Sequence, residues 1–295
     1  MRTSINSPEL PPQYEVFTAP QSAANDSYAE IMLGGLKTAC LSRDEMARLM
    51  LADCLAARRT DIHPPKLVFA SNGHAIALAA QDKTFGATFA QADIIHADGQ
   101  AAVFASRLLT ATPIPERSAT TDFIRDASKI GAEHGLRFFL LGATEEANAE
   151  SARILSETYP GIQIVGRLHG YFSEYEEDDI VDEINLTQPD VIWGGLSVPR
   201  EYEFAVRNKY RLKAGWLVTC GGCFNFVTGA YKRAPDWMQA TGLEWLYRLA
   251  REPKRLFWRY AVTNPLAVFL LLTRTNGAVE APVTVAEADL QVLAA

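Results

Sequence analysis

Between residues 66 and 219, short apolar runs alternate with longer stretches in which apolar residues recur every three or four positions. The runs are 66–70 (KLVFA), 93–96 (DIIH), 137–141 (RFFLL), 162–165, 190–193 (DVIW) and 216–219. The longer stretches are 75–92, 100–109, 121–134, 145–159, 173–186 and 200–212. Apolar runs without polar alternation suit strands buried on both faces, and intervening helices provide that cover. The pattern predicts an α/β fold with a Rossmann-like parallel sheet flanked by helices. Thr120 or Thr121 is the expected N-cap of the helix over 121–134.

The ends of the chain read differently. Residues 1–28 are polar, contain Pro8, Pro11, Pro12 and Pro20, and are expected to form a disordered arm. The α/β core is expected over 29–230, a basic helical appendage over 231–275 and a disordered tail over 276–295. Net charge is −7, which gives no suggestion of a nucleic-acid partner. That balance hides an asymmetry: 231–274 carries eight Lys or Arg and three Asp or Glu, so the remainder carries about −12. In the appendage, Arg233, Arg248, Arg251, Lys254, Arg255 and Arg259 interleave with aromatic residues, as in a helix that lies on an anionic membrane. An ordinary helical hairpin packed on the core is the other reading. No run approaches the roughly 18 apolar residues of a spanning helix, and 266–272 is too short. A soluble chain with peripheral membrane contact is expected. Cys40, Cys54, Cys220 and Cys223 are too few for a disulfide scaffold and suit a reducing compartment.

Ligands of open α/β sheets sit beyond the carboxyl ends of the strands. Gly142, Gly195 and Gly222 lie at such ends; each is a turn residue or a place where backbone approaches a phosphate. Asp98 follows DIIH and precedes a glycine. It is either a general base for a hydroxyl nucleophile or the cap of the next helix. Arg117, after Pro-Ile-Pro-Glu, pairs with a phosphate or with Glu116 or another acid. Cys220-Gly-Gly-Cys223 has no second ligand pair at zinc spacing, so two small residues near a strand end is the preferred reading. His96 and His169 are lone histidines, and Asp178-Asp179 reads as a solvated helix face.

The segments ADGQAAVFASRL, PERSATTDF, GGLSVPREYEF and GGCFNFVTGAYKRAPDWMQATGLEWLYRLAREPKRLFWRY resemble the WecG/TagA/CpsF glycosyltransferases, glycosyltransferase family 26. The resemblance covers about 31–272. It implies inverting, metal-independent transfer from a UDP-sugar to an undecaprenyl-diphosphate-linked sugar, with no cofactor. It implies Asp98 as the base, and Asn72, Arg117, Thr121 and Glu201 as acceptor- or substrate-binding residues. Gly142, Gly195, Leu196, Arg200, Gly222, Phe224 and Asn225 are the implied UDP-sugar contacts. The basic appendage is implied to contact the membrane, which places the chain on the cytoplasmic face; self-association is common in such proteins.

The sequence departs from the family pattern at Glu201 (usually Gln), Arg200 (Lys), Ala70 (Thr), Thr120-Thr121 (Gly-Ser) and Asn225 (Asp). These changes point to a donor other than N-acetylmannosamine, such as a glucose or glucuronic acid donor of exopolysaccharide synthesis. Two other classes stay open at this level: a nucleotide-dependent oxidoreductase on a Rossmann-like sheet, and a non-catalytic membrane-docking protein of polysaccharide assembly.

Overall fold

The structure is a computed structural model and describes residues 28–59 and 64–279. Its centre is a six-stranded parallel sheet in the order β4-β3-β8-β7-β5-β6. The strands are β3 (Lys66–Ser71), β4 (Ile94–Ala97), β5 (Arg137–Gly142), β6 (Gln163–Leu168), β7 (Val191–Gly195) and β8 (Trp216–Thr219). All six predicted strands are present, within a few residues at their ends.

Period-two alternation sends neighbouring side chains to opposite faces. Val68, Ile94, Phe138, Leu140, Trp193 and Val218 face α1 (Arg43–Ala57), α5 (Thr120–His134), α6 (Glu145–Thr158) and α9 (Cys223–Val227). Leu67, Phe69, Ile95, Phe139, Leu141 and Leu217 face α2 (Gly73–Gln81), α3 (Lys83–Phe89), α7 (Glu177–Leu186) and α8 (Arg200–Asn208). Both faces are therefore apolar, which explains the unbroken runs in the sequence.

The helix expected over 75–92 is two helices. Asp82 breaks it by capping α3, accepting the Thr84 and Phe85 N–H groups at 2.8 and 3.1 Å. Neither Thr120 nor Thr121 caps α5; its N-cap is Ala119, with no side-chain bond to the helix end.

A second, three-stranded antiparallel sheet joins β1 (Glu30–Leu33), β2 (Leu36–Ala39) and β9 (Asn276–Val279). The expected tail over 276–295 thus begins as an edge strand, because β1 offers it a free ladder. Residues 280–295, and 1–27 of the expected arm, lie outside the described residues.

The appendage is helical: α10 (Asp236–Ala240), α11 (Glu244–Arg251) and α12 (Pro253–Thr273). The run 266–272 is not a separate short stretch. It continues the basic segment before it as one 21-residue helix, long and apolar enough to cross a membrane by length and composition alone. Its inner face packs on α2 and on α4 (Gln100–Leu109), where Leu270 and Leu271 meet Ile76, Ala102 and Val103.

Candidate functional site

The carboxyl ends of the strands gather Asn72, Asp98, Gly142, Gly195 and Gly221 on one edge of the sheet. Asp98 directly follows β4, and its N–H donates to the Ser71 carbonyl at 2.8 Å. It does not cap α4, whose N-cap is Gly99 with no side-chain bond. Its carboxylate instead accepts the Asn72 amide Nδ2 at 3.3 Å. Asn72 is fixed from its other side, because its Oδ1 caps α2 through the His74 and Ala75 N–H groups at 3.1 and 3.2 Å. One cap residue thus aims one half-buried acid. Beneath Asp98, on the same strand face, His96 is 1% exposed, and among the described residues neither ring nitrogen meets full hydrogen-bond geometry. Burial holds its pKa below the ordinary histidine value, against the pull of Asp98.

Beside Asp98 lies a knot of arginines and acids. Arg233 donates to Thr121 Oγ1 at 2.8 Å and to Asp122 at 2.7 and 3.2 Å. Arg117 reaches Glu244 at 2.6 Å, Gln239 at 2.9 Å and Asp122 at 3.3 Å. Arg117 does not pair with Glu116, which bonds Arg43 instead. Burial opposes ionisation of Asp122, yet Arg233, Arg117 and Arg43 hold its carboxyl below the usual range. Asp98 lies within electrostatic reach of Arg233. Thr121, Asp122, Arg125, Phe226, Arg233, Asp236 and Gln239 line a cleft of about 280 Å³ here. A larger open cleft, about 450 Å³, lies at the other sheet edge, lined by Arg58, Gly135, Arg137, Gln163 and Gln188. Those arginines already hold the buried Asp190, and this larger cleft lies at the amino ends of the strands, away from Asp98.

A model of the WecG/TagA/CpsF glycosyl transferase family matches residues 31–279. The chain belongs to this family. It is 30% identical over 194 residues to an N-acetylglucosaminyldiphosphoundecaprenol N-acetyl-beta-D-mannosaminyltransferase of Bacillus spizizenii, covering 66% of this chain and 74% of that protein. Proteins of the same description from Staphylococcus aureus strains MRSA252 and MW2 are 31% identical over 166 residues. That match covers 56% of this chain and 64% of each relative, slightly less than two thirds of their length.

Two of the glycines expected at the strand ends, Gly142 and Gly195, are packed tightly against neighbouring backbone. A Cβ on Gly142 would sit 2.3 Å from the Gly195 carbonyl oxygen, and Gly142 has φ +136°. A Cβ on Gly195 would lie 2.9 Å from the Gly221 oxygen and 3.0 Å from Phe224. The ends of β5, β7 and β8 are thus stacked backbone on backbone. Gly142→Ala is expected to cost about 3 kcal/mol, seen as a lower urea midpoint, from overpacking and strain together. Ala143 and Ser197, just past the ends of β5 and β7, hold left-handed φ values of 57° and 67°.

The structure gives several other expected ligand contacts a supporting place. Phe224 is fully buried under Gly195, and Leu196 is buried too. Arg200 stacks on Phe172 at 4.2 Å and donates to the carbonyls of Gly170 and Phe172. Glu201 is 3% exposed and accepts the Gly221 N–H at 2.9 Å. Gly222 is exposed as the N-cap of α9, and Asn225 is half-buried within it. In the appendage, Arg248 lies over Phe226 and Arg259 over Tyr260, Arg255 pairs with Glu252, and Arg251 and Lys254 are exposed. Cys220 and Cys223 are buried thiols, and among the described residues no three His, Cys, Asp or Glu side chains are placed to hold a metal ion. Asp178 pairs with Arg211 on the surface. Missed in the sequence were Asp122, Gln239 and Glu244, which only the fold brings to the two arginines.

Proposed function

We propose that this protein transfers a sugar from a UDP-sugar to a hydroxyl of an undecaprenyl-diphosphate-linked sugar, with inversion and without a metal, at the cytoplasmic face of the membrane. The observation that carries the reading is Asp98: a strand-end carboxylate, aimed by Asn72 and within electrostatic reach of Arg233, which lines the cleft. Family membership supplies the reaction class, and the relatives' descriptions supply the kind of acceptor.

In this mechanism Asp98 takes the proton of the acceptor hydroxyl as that oxygen attacks the anomeric carbon. The C–O bond to UDP breaks, and negative charge grows on the diphosphate. Arg233, Arg117 and the uncapped N-terminus of α5 answer that charge. Both arginines also tie appendage to core, so the site is complete only when the appendage is seated. The donor is a hexose, hexuronic acid or N-acetylhexosamine nucleotide, with the substituted loop residues Glu201 and Arg200 favouring one other than N-acetylmannosamine.

The test is UDP release from a panel of UDP-sugars, with and without a short-chain lipid-diphosphate sugar. Acceptor-dependent release from one donor is expected; none from any donor removes the proposal. Arg233→Ala is expected to weaken UDP binding about tenfold and expose the appendage to proteolysis. Unchanged UDP affinity by calorimetry would leave Arg233 a holding role alone.

The basic appendage is proposed to dock on anionic headgroups, each Lys or Arg near the surface contributing about 1 kcal/mol. Exposed Arg251 and Lys254 are the most available.

A further inference from the structure

Helices α4 (QAAVFASRLL) and α12 (PKRLFWRYAVTNPLAVFLLLT) contain no Asp or Glu, in a chain with 35 of them against 28 Lys and Arg. They pack side by side through Ala102, Val103, Leu270 and Leu271. Their outer faces are apolar as well. On α4, Phe104 and Leu108 are exposed, Leu108 to 75%. On α12, Trp258, Val262, Phe269 and Leu272 are exposed, Trp258 to 73%. The α12 residues fall at helical spacing along one side of a 21-residue helix, opposite the buried Leu256, Tyr260, Ala267 and Leu271. A helix that is apolar on both sides is one whose outer side is also covered. The cations at this face are Lys254 and Arg255 on the first turn of α12 and Arg107 on α4.

We infer that the outer faces of α4 and α12 together form a lipid-insertion surface that seats at the headgroup–acyl boundary of an anionic bilayer. This rests on the membrane docking proposed above and extends it, from headgroup attraction by the appendage to apolar insertion shared with a helix of the core. Charge selects the occupant. A two-fold contact between copies through this face would bury Lys254, Arg255 and Arg107 against helices that offer no Asp or Glu to pair with them. An anionic leaflet accepts both the cations and the apolar side chains. Functionally, α4 begins at Gln100, two residues after Asp98. Seating α4 therefore fixes the base relative to the bilayer, within the roughly 15 Å that ten helical residues span.

The experiment is flotation of the full chain with vesicles of phosphatidylglycerol and phosphatidylethanolamine, at low salt and at about 0.5 M salt, where headgroup attraction is screened. Wild type is expected to keep a salt-resistant bound fraction. Leu108→Glu and, separately, Phe269→Glu are expected to lower high-salt partitioning about tenfold or more. Leu108→Met serves as the folding control and should bind like wild type. Turnover with a short-chain, water-soluble acceptor should be unchanged in Leu108→Glu, so a failure here is separable from a failure of the proposed reaction. Wild-type flotation by Leu108→Glu overturns the inference. So does loss of binding in Lys254→Glu with Arg255→Glu while both apolar variants bind normally; headgroup docking would then stand alone. A concentration-dependent dimer that dissociates in Leu108→Glu, with lipid binding intact, assigns the face to a second copy and also overturns it.

Discussion

Asp98→Asn is expected to lower the transfer rate by about 10²- to 10⁴-fold while leaving UDP binding and the unfolding midpoint in place. The substitution is close to isosteric. Its carbonyl oxygen can still accept from Asn72 Nδ2, so the tie between the ends of β3 and β4 survives. What is lost is a group able to accept the acceptor's proton. The variant also removes a negative charge near Arg233 and near Glu201, both of which feel Asp98. UDP affinity should therefore hold or rise slightly, because an anionic ligand meets less repulsion. The decisive comparison is single-turnover transfer against UDP calorimetry on the same sample. Turnover within a few-fold of wild type would take Asp98 out of the chemistry. A joint loss of turnover, UDP binding and thermal midpoint would mean the residue holds the edge together.

Much of the central sheet was legible because five of its six strands, all but the edge strand β6, are buried on both faces. After their first, charged residue, RFFLL and DVIW are apolar without interruption, as suits a strand between two helix layers. Elements whose partners are distant in sequence were not legible. β9 pairs with β1, some 240 residues away, and its four residues NGAV carry no pattern of their own. Asp82 looks like one more polar residue in a helical stretch until its oxygen is seen bonding two N–H groups. At the site, Asp98 stood out through its place after a strand and its resemblance to a known motif. Its geometric support depends on a cap residue 26 positions earlier. Arg117 could be noticed, but not its carboxylate partner 127 residues away. At Gly142 and Gly195 the need for close backbone approach was legible, but not that the groups approaching them are the ends of neighbouring strands.

Glu201 is expected to make the folded protein less stable as pH rises from about 4.5 towards about 8, and Glu201→Gln to remove that slope. The cause is burial, which pushes the carboxyl up to about 8 although the N–H groups of Gly221, Ser197 and Leu196 all favour its ionised form. Asp98 adds to the upward push, and the Tyr202 hydroxyl and Cys220 thiol, both themselves raised, crowd the same spot. Below about 4.5 the carboxyl is protonated folded or unfolded, so this group contributes no pH dependence. Between there and about 8 the unfolded chain has released the proton and the folded chain still holds it. The unfolded state binds fewer protons, so stability falls as pH rises. At about 1.4 kcal/mol per unit the loss is on the order of 5 kcal/mol. His96 and His74 act in the opposite sense: burial lowers their folded pKa values, so stability rises as pH climbs towards the ordinary histidine value and is flat above it. The difference between wild type and Glu201→Gln cancels those histidines, because both proteins share them. The same difference should appear in turnover. Ionised Glu201 would place a second negative charge beside Asp98, under the loop that joins β8 to α9, so wild-type activity should fall above pH about 8 while the glutamine variant continues. Urea unfolding and initial rates across pH 5 to about 9 measure both. Parallel curves for the two proteins in both assays would show that Glu201 stays ionised in its pocket, leaving it only a tie between the ends of β7 and β8.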